Sequence, residues 1–178
     1  MDVLISCGPS AASAKLLSTV IAGRTVTHLD RGSFWRRFGR LEHESLEFKA
    51  SANNLREVIP AMAMTVGGEI VLGVTDERRL AGCRLDQPTL DSIMRRAQDC
   101  GVEVSVEPLL VDGVPLTVVH VPRVTSRIVT TSDGRVLRRV GGDNRPLRGE
   151  QLLGLLRTHG SRRSHLTRRL VVALQRLA

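Results

Sequence analysis

The chain has 178 residues, 42% of them hydrophobic, which suits one domain with a substantial core and short appendages. No stretch approaches the roughly 18 consecutive apolar residues of a membrane span, so a soluble, cytoplasmic protein with no membrane partner is expected. The three cysteines, Cys7, Cys83 and Cys100, are odd in number and far apart, which argues against a disulfide framework or a zinc site and for buried, reduced side chains.

In chain order, Leu4-Ile5-Ser6-Cys7 resembles a lipobox but lacks the basic and apolar stretches of an export signal, and is read as chance. Residues 10–22 read as a short amphipathic helix capped by Ser10, and Phe34, Trp35 and Phe38 follow at helical spacing. Interleaved with Arg36 and Arg37, these aromatics could stack on bases, but core packing is the commoner use of that spacing. Residues 46–49 alternate, so Glu47 and Lys49 share one face of a strand and Leu46 and Phe48 the other. A helix from Asn53 to about Met64 is kinked or shortened by Pro60. Residues 69–75, with the apolar, β-branched-rich run Ile70 to Val74, read as a central strand covered on both faces, entered through Gly67-Gly68 and ending near Asp76.

Further on, a strand is expected near 80–84 and a helix over 88–99, started by Pro88-Thr89. Strands at 102–107 and 114–121 flank Asp112-Gly113, a hairpin signal, and a second hairpin is expected to join 127–131 to 135–140 through Asp133-Gly134. A helix over 148–157 and a basic amphipathic stretch over 164–177 close the chain, with His159-Gly160-Ser161 between them as a linker. The five histidines have no metal-ligand spacing; His120 reads as a strand residue, and His43, between two acids, as a partner to a carboxylate.

Net charge is +8, but its placement says more. Residues 1–40 carry +4, residues 41–148 carry −1 and residues 149–178 carry +5. Within the near-neutral middle, 123–148 holds seven arginines against Asp133 and Asp143, a local basic patch suited to phosphates. A GC-rich coding bias is the competing explanation, because all but Lys15 and Lys49 of the 26 basic residues are arginine.

An acid-x-lysine pair on a strand is by itself most often a solvated ion pair. Here it belongs to an ordered set: Glu42, Glu47-Phe48-Lys49, Thr65-Val66-Gly67-Gly68, Gly73-Val74-Thr75-Asp76, Gly82, Val119-His120-Val121-Pro122 and Arg138-Arg139-Val140-Gly141. Over about residues 40–157 the chain resembles the Schlafen-type nucleic-acid-binding domain, also called AlbA-like. Two departures stand out: the helix between the two halves is shorter than in the animal proteins, and Ala61 to Val66 lacks the asparagine of the family's Ala-Phe-Ala-Asn-Thr. The resemblance implies an α+β fold, a mixed sheet with flanking helices forming a single lobe, here bounded as 40–157 between an N-terminal helical extension (1–39) and a basic C-terminal helix (158–178).

Where family members are catalytic, the resemblance implies a divalent-metal endoribonuclease of tRNA and rRNA. The family's acidic ligands fall on Glu42, Glu47 and Asp76, which would hold Mg²⁺ or Mn²⁺, with Lys49 completing the catalytic set by stabilising phosphoryl charge. Arg127, Arg135, Arg138, Arg139 and Arg145 would grip the backbone of a nucleic acid, RNA favoured over DNA. Schlafen proteins embrace RNA with two related lobes, so one lobe here implies a homodimer. Two alternatives stay open: a non-catalytic DNA- or RNA-binding regulatory module, and an interaction protein that docks through 164–177.

Overall fold

The computed structural model describes residues 17–21 and 24–160, with side chains over 25–158; residues 164–177 lie outside the described residues. Six strands form one mixed sheet in the order β1-β2-β5-β6-β4-β3: β1 (Leu17–Ile21), β2 (Arg24–Leu29), β3 (Leu46–Lys49), β4 (Gly68–Leu72), β5 (Ser105–Val111) and β6 (Val114–Val121). The pairs β2/β5 and β3/β4 are parallel, and the others antiparallel. A separate hairpin joins β7 (Leu137–Val140) to β8 (Asp143–Pro146). With helices α1 (Arg31–Phe38), α2 (Val58–Ala63), α3 (Gln87–Asp99) and α4 (Gly149–Gly160), this is an α+β fold.

The central sheet separates two apolar layers because successive strand residues face opposite ways. Ile70 and Leu72 of β4, with Val119 and Val121 of β6, pack against α2 and α3. Val71 of β4, with Leu116 and Val118 of β6, packs on the other face with Phe48 and the α1 residues Phe34 and Phe38. The aromatic cluster is therefore core: Phe34 meets Trp35 and Phe38 at centroid distances of 4.8 and 5.0 Å, and Trp35 meets Phe48 at 5.8 Å. The buried phenylalanines contribute about 1.5–3 kcal/mol each, and the partly buried Trp35 covers them.

Helix starts follow local chemistry. Asp30 caps α1 by accepting from the Ser33 amide at 2.7 Å, and Asp86 caps α3 by accepting from the Thr89 amide at 2.9 Å. Both carboxyls are held below their ordinary range, Asp30 first by the Ser33 hydroxyl and Asp86 first by the Thr89 amide. Asp112 and Gly113 turn with φ of 47° and 80°, the left-handed pair that links β5 to β6. At Gly68, φ is 144° and a Cβ would stand 2.1 Å from the Ser45 carbonyl oxygen, so only glycine lets β4 enter beside β3.

Several expectations are corrected. Within the stretch read as a helix over 10–22, residues 17–21 form strand β1, and residues 10–16 lie outside the described residues. Residues 24–38 do not stand apart from the lobe: β2 is bonded to β5, and Leu29, Phe34 and Phe38 belong to the core. The expected strand at 80–84 reduces to one bridge between Val74 and Leu80. The second hairpin is displaced: Asp133-Gly134 makes a turn, with the Gly134 amide donating to the Thr131 carbonyl, but the paired strands are β7 and β8, joined through Gly141-Gly142. Pro60 lies within α2, which is only six residues long and is preceded by a short 3-10 turn at Ala52–Asn54.

Candidate nucleic-acid interface

Strand β3 places Glu47 and Lys49 on the α2/α3 face of the sheet, as alternation requires, but Glu47 does not line an open cleft. Its side chain is 4% exposed and lies against the fully buried guanidinium of Arg139. Arg139 Nη2 donates to Glu47 Oε2 at 2.6 Å, and Lys49 Nζ lies 2.5 Å from Oε1, so both carboxylate oxygens face a cation. The remaining Arg139 donors are used as well: Nε and Nη2 reach the His43 carbonyl at 3.3 and 3.0 Å, Nη2 the Leu46 carbonyl at 3.2 Å, and Nη1 the Asn144 Oδ1 at 3.2 Å. A planar fork with five N–H groups suits such a ring of acceptors. The Arg139 amide donates to Thr65 Oγ1 at 2.8 Å, and that hydroxyl donates to the Ala61 carbonyl at 2.7 Å, which fastens β7 to the end of α2.

Glu42 is occupied in a similar way. Its Oε1 accepts from the Phe48 amide at 3.1 Å, covering the edge of β3, and from Arg78 Nη1 at 3.3 Å. Arg78 is held by the Arg40 carbonyl at 2.9 Å and stacks 4.8 Å over the Phe48 ring. Asp76 is exposed in the loop after β4. Among the described residues no three acidic, histidine or cysteine side chains converge as a metal-holding group. Glu42, Glu47 and Asp76 are not brought together as such a group, and Glu42 and Glu47 are paired instead with Arg78 and with Arg139 and Lys49. His43 meets Arg139 through its backbone carbonyl, and its ring Nδ1 accepts from the Ser45 amide at 3.3 Å rather than meeting a carboxylate.

The arginine patch divides by face. Along β7, Leu137 and Arg139 point inward, and Arg138 and Val140 outward. Arg138 is directly opposite Arg145 in the hairpin, and both are exposed, so their side chains leave the same outer face. Arg145 carries a 3.2 Å pair to Asp143, with side chains 63% and 73% exposed, worth little in water. The other expected contacts are committed elsewhere: Arg135 binds Glu57 at 2.6 Å and Asp133 at 2.8 Å, Arg127 bonds the Gly101 carbonyl, and Arg139 is buried too deeply to meet a phosphate. Thr131, and then Arg135, pull the Asp133 carboxyl down to about 2.

A second polar network, which the sequence did not reveal, lies on the α1 face. His120 approaches Glu69 and Glu107 at 3.3 Å each, Arg37 meets the same two acids at 3.4 and 3.2 Å, and Thr27 donates to Glu107 at 2.9 Å. Burial pushes the Glu107 carboxyl up, but hydrogen bonds from Arg37 and Thr27 outweigh it and hold the group below its ordinary range. Glu69 pairs with His120 across β4 and β6 in register, a juxtaposition set by sheet pairing rather than by any local motif. Arg78 and Asn144 also escaped the sequence reading, and Thr65 entered it only as part of a motif: Arg78 and Thr65 act on partners 36 and 74 residues away, and Asn144 meets Arg139 only through the register of the β7–β8 hairpin.

The family model "Schlafen, AlbA_2" matches residues 42–148, more than half of the chain. The chain belongs to this family. The Schlafen AlbA_2 match opens at Glu42 and closes just after the β7–β8 hairpin, so it spans both the Glu47–Arg139 couple and the outward arginines. Among solved structures, the DIP2311 protein from Corynebacterium diphtheriae is similar at 20% identity and a TM-score of 0.53, over 64% of this chain. That overlap is 26% of the DIP2311 chain, so the present chain spans about a quarter of its length, and the likeness is one of fold. No curated protein matches this sequence. Family membership supports a nucleic-acid-related role, and no helix among the described residues is long and apolar enough to cross a membrane.

Proposed function

We propose that this Schlafen AlbA_2 domain is a non-catalytic nucleic-acid-binding module that holds the phosphate backbone on the outer face of the β7–β8 hairpin. The observation that carries this reading is the cross-strand pair Arg138 and Arg145, both exposed on a rib of backbone that the buried Arg139 anchors to β3. Two arginines on one face of a fixed backbone frame suit phosphate binding, since the backbone needs little ordering on binding. Cleavage through Glu42, Glu47 and Asp76 is the competing reading; it requires Glu47 to leave both Arg139 and Lys49 inside a nearly closed site.

RNA is the favoured class, and pairing of two copies is a way for one small lobe to embrace a folded RNA. The test is equilibrium binding of a structured RNA and a matched DNA duplex in EDTA over a range of salt. Affinity should fall linearly on logarithmic axes for the parent, with a shallower slope when Arg138 and Arg145 are both replaced. A salt-independent affinity, or a slope unchanged in that variant, removes the hairpin from the interface.

A further inference from the structure

A recess of about 420 Å³ lies beside the Glu47–Arg139 couple, lined by Lys49, Asn53, Asn54, Arg56, Arg96 and Asn144. Its volume falls within the range of small-ligand sites, roughly 300–1,000 Å³. Three separate elements supply its cations: Lys49 ends β3, Arg56 precedes α2, and Arg96 lies in the last turn of α3. One carboxylate, Glu57, joins the lining, and Arg135 holds it at 2.6 Å. Arg56 and Arg96 have acidic neighbours at 3.7 Å (Asp133) and 3.5 Å (Asp99), half-exposed pairs that a stronger anion can displace at small cost; Arg56 Nε also donates to Ser132 Oγ at 2.8 Å, and Lys49 stays on Glu47 at 2.5 Å.

Asn144 adds a directional element. Its Oδ1 accepts from buried Arg139 Nη1 at 3.2 Å, which leaves the amide NH₂ as the group free to act in the recess. The deep guanidinium thereby turns an ambivalent side chain into a donor. Arg56, Arg96 and the Asn144 amide line one concave space, with Lys49, itself paired to Glu47, beside them, an arrangement suited to a compact, multiply charged oxyanion.

We infer that this recess binds the phosphate monoester of a nucleotide, as a free nucleotide or as the phosphorylated end of a strand. The site is distinct from the outward Arg138–Arg145 face, and it rests on the nucleic-acid reading above only for the choice of a nucleotide over other phosphate esters. A dianionic monoester engages the two weakly paired arginines better than a backbone diester with its single charge.

The experiment is a titration of the full chain with a nucleoside 5′-monophosphate and, separately, with the unphosphorylated nucleoside, followed by the side-chain amide resonances of Asn53, Asn54 and Asn144. The monophosphate should shift these signals in a saturable way and the nucleoside should not. The double variant Arg56→Ala, Arg96→Ala should weaken monophosphate binding by at least about ten-fold, with its thermal midpoint measured to confirm folding. The double variant Arg138→Ala, Arg145→Ala should leave monophosphate binding unchanged even if oligonucleotide binding is lost, so failure of the hairpin reading and failure of the recess are distinguishable. A 5′-phosphorylated oligonucleotide binding tighter than its unphosphorylated twin assigns the recess to strand ends, and equal affinities assign it to free nucleotides. No saturable shift, equal shifts from the nucleoside, or full binding in the folded Arg56/Arg96 variant would overturn the inference.

Discussion

Arg138 and Arg139 are neighbours in the chain and opposites in the fold. The first stands in solvent beside Arg145 on the outer face of the hairpin; the second is fully buried, with its guanidinium on Glu47 and on backbone carbonyls around β3. The difference teaches that arginine count along a strand measures two things at once, the phosphate-facing surface and the frame that holds it. Only the pleat tells them apart.

The largest effect that separates the two faces is on stability. Arg139→Met leaves Glu47 buried with Lys49 as its remaining cation, and should cost about 3–5 kcal/mol in denaturant unfolding. Arg139→Lys keeps the charge but loses the fork, and should restore less than half of that. If Arg139→Met unfolded at the parental midpoint, the couple would not be the frame described here. The outer face should behave in reverse: Arg138→Ala with Arg145→Ala should move stability by no more than about 0.5 kcal/mol while lowering the salt slope of nucleic-acid binding by about one to two units. A large stability loss in that variant would erase the distinction between the faces.

The smallest effect lies at the turn before the hairpin, where Thr131 and Arg135 hold the Asp133 carboxyl at about 2. A group depressed in the folded state stabilises above its ordinary value of 3.8, and that contribution is lost as pH falls from about 4 through about 2. A carbon-detected titration of Asp133 should give its midpoint near 2, and Thr131→Val should raise it. An ordinary carboxyl midpoint in the parent would show that the turn is not locked as described.

Much of the frame was legible because it rests on local signals. The run into β4 is apolar on both faces, Asp112-Gly113 carries two left-handed residues, and α3 has its cap at Asp86 with a proline in its first turn. β1 and β2 were missed although Thr25, Val26 and Thr27 have strand character, because the amphipathic pattern after Ser10 favoured helix and the deciding contact, β2 with β5, is far away in sequence. At the candidate site the shared face of Glu47 and Lys49 could be read from alternation. The burial of Glu47 could not, since its partner Arg139 lies 92 residues away. Placing the hairpin turn at Asp133-Gly134 rather than Gly141-Gly142 also hid the pairing of Arg138 with Arg145, because register decides which side chains share a face.

The most direct test of the central claim, that the carboxylates serve the frame while the hairpin serves the ligand, follows end-labelled tRNA incubated with the purified protein in Mn²⁺ and in EDTA, with bound and cut fractions read from the same sample. Intact RNA retained by the protein under both conditions, with retention reduced in the Arg138→Ala, Arg145→Ala variant, is the predicted result. Fragments that appear in Mn²⁺, vanish in EDTA and vanish again in a folded Glu47→Gln variant would contradict it.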